Sequence, residues 1–313
     1  MTDALNISQL AKYFSDEDAA RVLLEEMRWG ASGAVCPHCG GTEPYKITPK
    51  AGSKTRKGLY KCRACRKQFT VTVGTVFEDS HIPISKWLLA IHLLASSKKG
   101  ISAHQLHRNL GLSYKGAWFM AHRLRWAMRD GGVAEMLHGT VEIDETYVGG
   151  RRRGSGLKGR PGRDSNKTPV VALVERGTGR VYAQPMYRVT ADNLGKVIEE
   201  RVAHDATMMT DEFVAYKTIA EDSGRKHHTV KHRDQEYVNK DDNTIHSNTV
   251  EGFFSLLKRG VNGTFHHVSR EHLGRYCDEF AFRYERRKMS DGARAAEIVL
   301  GAEGKRLTYK QPA

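Results

Sequence analysis

The sequence predicts an α/β protein whose mixed sheet follows a small zinc-binding module and a helix-turn-helix. Three observations predict it. Two Cys-x-x-Cys turns, Cys36–Cys39 and Cys62–Cys65, lie near the start of the chain. The stretch "GISAHQLHRNLGLSYKGAWFMAHRLRWAMRD" reads as a helix, a glycine turn and a second helix. From His138 onward, β-type runs alternate with helical ones: "TVEIDETYVG", "TPVVALVERG" and "GRVYAQPMY", then "ADNLGKVIEERVAH", then "ATMMTDE". Three strands, a helix and a further strand point to a sheet of mixed direction.

Residues 1–33 form an N-terminal helical segment, "NISQLAKYF" followed by "SDEDAARVLLEEMRWG". Ser15 is the expected cap of the second helix, with Asp16, Glu17 and Asp18 favourable in its first turn. Residues 34–80 are the zinc ribbon. Each Cys-x-x-Cys sets two thiolates on one tight turn, so Cys36, Cys39, Cys62 and Cys65 can complete a tetrahedral Zn²⁺ shell. Residues 40–61 separate the pairs, close to ribbon spacing. Four sulfur ligands close the shell, so this zinc is structural. His38 is a bystander inside the first turn, and Cys277 reads as a packing residue.

Residues 81–132 hold the helix-turn-helix. Ser102 and Gln105 make a capping box, Leu106 and Leu110 an apolar stripe, Gly111 the turn, and Ser113 the second cap. Tyr114, Lys115, His122, Arg123 and Arg125 are then available outward for DNA, with Lys115 and Arg123 the chosen contacts. An ordinary helical hairpin with solvated basic residues is the alternative.

The chain has 313 residues and a net charge of +14. An excess of that size favours a polyanionic partner, most often nucleic acid. Apolar runs are too short for a membrane helix, and the N-terminus lacks a secretory h-region, so a cytoplasmic, nucleoid-associated protein without a membrane partner is expected. A reducing compartment favours metal over disulfides for its five cysteines.

The sheet-bearing domain spans 138–290. On "TVEIDETYVG", Val141 and Ile143 share one face, and Glu142 and Asp144 the other. Asp144 nears the strand end, where a carboxylate reaches a site outside the sheet. "ATMMTDEF" repeats the design with Asp211. In "HSNTVEGFFSLLKRG", Val250, Phe253, Phe254 and Leu257 fill one helix face, while Asn248, Glu251, Ser255 and Lys258 gather on a neighbouring stripe. Carboxylates of Asp144, Asp211 and Glu251 are hard ligands suited to two Mg²⁺ or Mn²⁺ ions. Glu145 and Glu212 are runners-up that alternation turns to the opposite side. Taken alone, the helix stripe reads equally as a solvated Glu/Lys face.

The insertion 150–168, "RRRGSGLKGRPGRDSNK", carries Arg151, Arg152, Arg153, Lys158 and Arg160, all candidate backbone contacts to DNA. "RYERRK" (283–288) is a second candidate. Residues 291–313 read as a C-terminal tail.

In order and content, "CPHCG", "YKCRACRKQFTVTVGTVFEDSHIPISKW", "ISAHQLHRNLGLSYKGAW", "VEIDETYVGG", "MMTDEFVAY" and "HSNTVEGFFSLLKRG" resemble the zinc-ribbon DDE transposases of bacterial insertion sequences, a group related to the eukaryotic Merlin superfamily. The resemblance covers about residues 15–290. It implies a ribonuclease-H-like catalytic domain whose first and second acids match Asp144 and Asp211. Some relatives are described with an asparagine in place of the third acid, and this chain has both Asn248 and Glu251. Lys258 matches the family's basic residue after the glutamate and favours Glu251, leaving Asn248 as helper or alternative ligand and Lys258 as phosphate contact. The implied activity is metal-dependent cutting at inverted-repeat ends of double-stranded DNA, then strand transfer to target DNA, by a homodimer or larger synaptic complex. Two other readings compete: a non-catalytic DNA-binding regulator, and a ribonuclease-H-like nuclease without strand transfer.

Overall fold

The computed structural model describes residues 7–129, 135–149, 167–230 and 242–308, with the side chains of residues 7, 9 and 10 outside the description. The chain divides into two compact units. One joins residues 1–129 to 289–312, and the other covers 130–288.

The first unit begins with α1 (Ile7–Ser15) and α2 (Glu17–Trp29). Asp16, not Ser15, caps α2: its carboxylate accepts from the amides of Asp18 (2.8 Å) and Ala19 (3.2 Å). Ser15 still belongs to α1 and spends its hydroxyl on the Ala11 and Lys12 carbonyls. A carboxylate is the better partner for the positive end of a helix. Both helices pack on α3 (Ile84–Ser96), so the described residues 7–33 are part of this unit rather than a separate segment. Between them the ribbon pairs β1 (Pro44–Lys46), β2 (Tyr60–Cys62) and β3 (Gln68–Phe69) antiparallel. Trp29, Tyr60 and Phe69 form an aromatic cluster beneath it, with ring centroids 5.3–6.3 Å apart.

Helices α4 (Ala103–Leu110) and α5 (Tyr114–Met128) are capped as the sequence suggests. Ser102 Oγ accepts from Gln105 N, and Ser113 Oγ from Gly116 N. Gly111 turns the chain at φ +59°, in the left-handed region open to glycine. The outward face differs from expectation. His122, Arg123 and Arg125 are 0%, 7% and 2% exposed. Arg123 stacks on Phe119 and donates to the Leu307 carbonyl. Leu307 comes from the segment expected as a tail. There, α10 (Asp291–Leu300) packs on α2, α3 and α5. Arg294 donates to the Ala95 carbonyl, and Glu303 forms a two-point ion pair with the buried Arg28. The back face of α5 is therefore covered in part by the C-terminal segment, far away in sequence.

The second unit is built on a five-stranded sheet of order β6-β5-β4-β7-β8. Strands β4 (Thr140–Val148), β5 (Thr168–Glu175) and β6 (Val181–Pro185) run as an antiparallel meander. Helix α6 (Ala191–Arg201) then crosses to β7 (Thr207–Thr210), parallel to β4, and α7 (Val214–Ser223) leads to β8 (His227–Thr229), parallel to β7. This is the ribonuclease-H-like arrangement. Both faces are covered, which explains the nearly unbroken apolar run of β5. Val141, Ile143, Val171, Leu173 and Met208 pack beneath α6 and α7. Val148, Val170, Ala172 and Val174 pack beneath α8 (Asn248–Gly260) and α9 (Arg270–Glu285). Cys277 is buried in this second layer. A π-helical turn, Val261–Phe265, follows α8. At Gly260 a Cβ would lie 2.0 Å from Phe280 Cζ, so only glycine permits this approach of α8 to α9. Among the described residues, no helix is long and apolar enough to cross a membrane.

Candidate active site and zinc site

The four ribbon cysteines converge. Cys36 Sγ is 3.7 Å from Cys65 Sγ, Cys39 Sγ is 3.6 Å from Cys62 Sγ, and all four sulfurs lie within 4.8 Å of one another. A tetrahedral ion with Zn–S bonds of about 2.3 Å needs sulfurs about 3.8 Å apart. The geometry and the donor chemistry both fit zinc. The Cys65 amide brings the Cys62 thiol down to about 7, with the Cys39 and Cys65 sulfurs and the Ala64 amide adding to it against burial. That favours the thiolate that a metal requires.

The acids gather at the end of the parallel strand pair. In register, Thr140 faces Thr207, Val141 faces Met208 and Glu142 faces Met209. Continuing two steps sets Asp211, just past β7, beside Asp144, and neighbouring strands lie about 4.8 Å apart. Burial pushes the Asp144 carboxyl up to about 7. The Glu145 carboxylate, and after it those of Asp211 and Glu251, contribute to that shift, while the Glu145 amide opposes it with a 2.7 Å bond. Such crowding of negative charge is what bound divalent cations relieve, and the donors are hard carboxylate oxygens suited to Mg²⁺ or Mn²⁺. Among the described residues only the cysteines bring three or more ligand atoms within 4.8 Å of one another, so the three acids are more open. Asp211 Oδ1 accepts from the Phe213 amide at 3.0 Å, which orients it in the turn before α7. Glu145 faces the other layer, where it accepts from Tyr216 Oη at 2.7 Å. Burial there, with Glu145 beside it, holds the Tyr216 hydroxyl well above its ordinary range.

Glu251 lies in the first turn of α8 and accepts from Ser247 Oγ at 3.2 Å. Asn248 opens the helix and is exposed, and Lys258 is exposed almost two turns beyond Glu251. Glu142 shares Asp144's face of β4 but is fully buried. Its carboxylate accepts from Thr249 N, Thr249 Oγ1 and Val250 N, and from Arg176. Period-two alternation placed Glu142 on the correct face. Nothing local in the sequence distinguished a helix-capping carboxylate from a metal-binding one.

The basic candidates divide. Lys115 is exposed in the first turn of α5. Arg123 is buried against Phe119 and so is withdrawn as a DNA contact. In "RYERRK", Arg283 is also buried, in an ion pair with Glu279 one turn earlier on α9. Arg287 and Lys288 remain exposed. Arg151, Arg152, Arg153, Lys158 and Arg160 lie outside the described residues.

Comparison with known proteins agrees with this domain order. Residues 136–285 match the model of an ISXO2-like transposase domain, and residues 15–68 that of a transposase zinc-ribbon domain. An uncharacterized protein in transposable element ISH50 of Halobacterium salinarum is 32% identical over 285 residues, covering 88% of this chain and 92% of its own. The catalytic core domain of HTLV-2 integrase, solved with magnesium, aligns with 49% of this chain and 87% of its own at 12% identity. Its TM-score is 0.28, a likeness too distant to inform function. With a ribbon, a sheet and strand-end acids in the order these matches span, the chain belongs to the zinc-ribbon DDE transposases of insertion sequences.

Proposed function

We propose that this transposase binds the terminal inverted repeats of its element, cleaves the ends with two divalent ions, and transfers the 3′-hydroxyl strands to target DNA. The observation that carries the reading is the convergence of Asp144, Asp211 and Glu251 from two adjacent parallel strands and the helix across them. Asp144, Asp211 and Glu251 are the residues that would hold Mg²⁺ or Mn²⁺. Bound there, the ions would polarise the attacking oxygen and neutralise charge on the phosphodiester.

The chain's own groups do the rest. Lys258, exposed along α8, holds a DNA phosphate beside the acids. Asn248 offers an amide to the same backbone or its carbonyl oxygen to a metal. In the first step water attacks the scissile phosphorus, and the bond to the 3′-oxygen breaks to leave a 3′-hydroxyl. In the second, that hydroxyl attacks a target phosphodiester, its proton is lost, and the target's own 3′-oxygen leaves. Lys115 and the basic insertion 150–168 track DNA backbone, and joining two ends calls for at least a dimer.

The test is incubation with DNA carrying the element's ends and Mg²⁺ or Mn²⁺. Wild-type protein is expected to give end cleavage and joined products. Asp144→Asn is expected to lose about a hundred- to a thousandfold in rate, as removal of a charge-stabilising group does. Binding without any cutting would favour a regulator, and cutting without joining a plain nuclease. Full cleavage by Glu251→Gln, with loss in Asn248→Ala, would exchange their roles.

A further inference from the structure

We propose that Glu142 is a positioning residue of the active centre, holding the N-terminus of α8 against β4 so that Glu251 stays beside Asp144. The inference rests on the assignment of Asp144, Asp211 and Glu251 as metal ligands. Helix α8 has no cap of its own: Ser247 makes no side-chain bond to the first turn's amides, and its hydroxyl goes to Glu251 instead. Glu142 takes the capping role from another element. Its two oxygens accept from Thr249 N at 2.7 Å, Val250 N at 2.9 Å and Thr249 Oγ1 at 2.6 Å.

Arg176 completes the clamp. It donates through Nε to Glu142 and through its other nitrogens to the Thr244 and His246 carbonyls, while its own amide bonds to the Thr140 carbonyl at 2.9 Å. His246 Nδ1 lies 3.3 Å from Glu142. One carboxylate thus ties together β4, the turn after β5 and the chain entering α8.

Two physical consequences follow. The acceptor positions of Glu142 are already taken by amides, a hydroxyl and a guanidinium, so this glutamate is not available as a metal ligand although it shares Asp144's face. And because Glu251 is only two residues beyond Thr249, about 3 Å along the axis, any slip of the helix start moves Glu251 by a comparable distance. Groups that orient a metal's ligands typically contribute 10–100-fold in metal affinity or activity.

The experiment is a Mn²⁺ titration of end cleavage by Glu142→Gln, alongside wild type, Asp144→Asn and Glu251→Gln, with inverted-repeat binding and thermal unfolding measured on each. The expected result is a half-saturating Mn²⁺ concentration raised about 10–100-fold. Cleavage should recover at high Mn²⁺, with DNA binding unchanged. A wild-type Mn²⁺ requirement in Glu142→Gln would overturn the positioning role. So would a folded Glu142→Gln protein inactive at every Mn²⁺ concentration, because that is how a ligand behaves. If Glu142→Gln does not fold, Thr249→Val removes one bond of the clamp. It should raise the Mn²⁺ requirement severalfold, and no rise would overturn the proposal. Normal cutting by Asp144→Asn and Glu251→Gln would instead sink the assignment of the acids themselves.

Discussion

At the scale of single residues, the decisive property is how carboxylates are compensated. Three buried or half-buried glutamates and aspartates on β4 meet three different fates. Glu142 is neutralised by a helix N-terminus and Arg176, Glu145 accepts from Tyr216, and Asp144 faces other carboxylates. Only Asp144 is left in need of a cation. A carboxyl raised from 3.8 to about 7 costs nothing below pH 4, where it is protonated in both folded and unfolded chains. Its penalty grows between pH 4 and 7 and is complete above. Asp144→Asn should therefore stabilise the protein at pH 8 without added divalent ions, and leave stability unchanged below pH 4. The shift sets a ceiling of about 4 kcal/mol, and roughly 2 is expected because the side chain is only partly buried. Urea unfolding at the two pH values measures it, and equal effects at both would refute the electrostatic account.

At the scale of elements, α8 is defined by what it touches at each end. Its start is clamped by Glu142, and its finish approaches α9 through Gly260. A methyl group at Gly260 meets the ring of Phe280, which is itself fully buried. Gly260→Ala is expected to cost about 1–3 kcal/mol through overpacking, despite alanine's better helix propensity. The midpoint of urea unfolding reports it; a more stable variant would mean that α9 yields freely. The pair α4 and α5 shows the same dependence on neighbours. Its caps and turn are local, while the burial of Arg123 and Arg125 depends on packing around α5, part of which comes from the C-terminal segment.

At the scale of the whole molecule, the first unit is stapled twice. In the first, Ala295, Ile298 and Val299 are buried, and Glu303 neutralises the buried Arg28. Removing residues 290–313 exposes that apolar surface and strands a charge, a loss on the order of 5 kcal/mol. The first unit should then melt at markedly lower temperature, which calorimetry would show; an unchanged melting profile would mean the helix is dispensable. Zinc is the second staple. Elemental analysis should find about one zinc per chain, and stripping it should unfold the ribbon, since such small modules draw folding energy from the metal. A ribbon that keeps its structure after chelation would contradict this.

Much of this was legible in the residues because its signals are local. Two Cys-x-x-Cys turns, the serines before α4 and α5, the alternation in "TVEIDETYVG" and the apolar face of "HSNTVEGFFSLLKRG" each act through neighbours a few positions away. These indicated the ribbon, the helix pair and the succession of strands and helices, and they brought out Asp144, Asp211 and Glu251 as candidates. Contacts between distant segments were decided only by the tertiary structure. The C-terminal segment packs on α5 and accepts from the buried Arg123 through Leu307, and Arg283 is buried in an ion pair with Glu279. Glu142 caps a helix more than a hundred positions away. The reason is physical: a carboxylate or guanidinium carries the same charge on a surface as in a core, and only the partner folded against it determines whether it binds DNA, binds metal or holds an element in place.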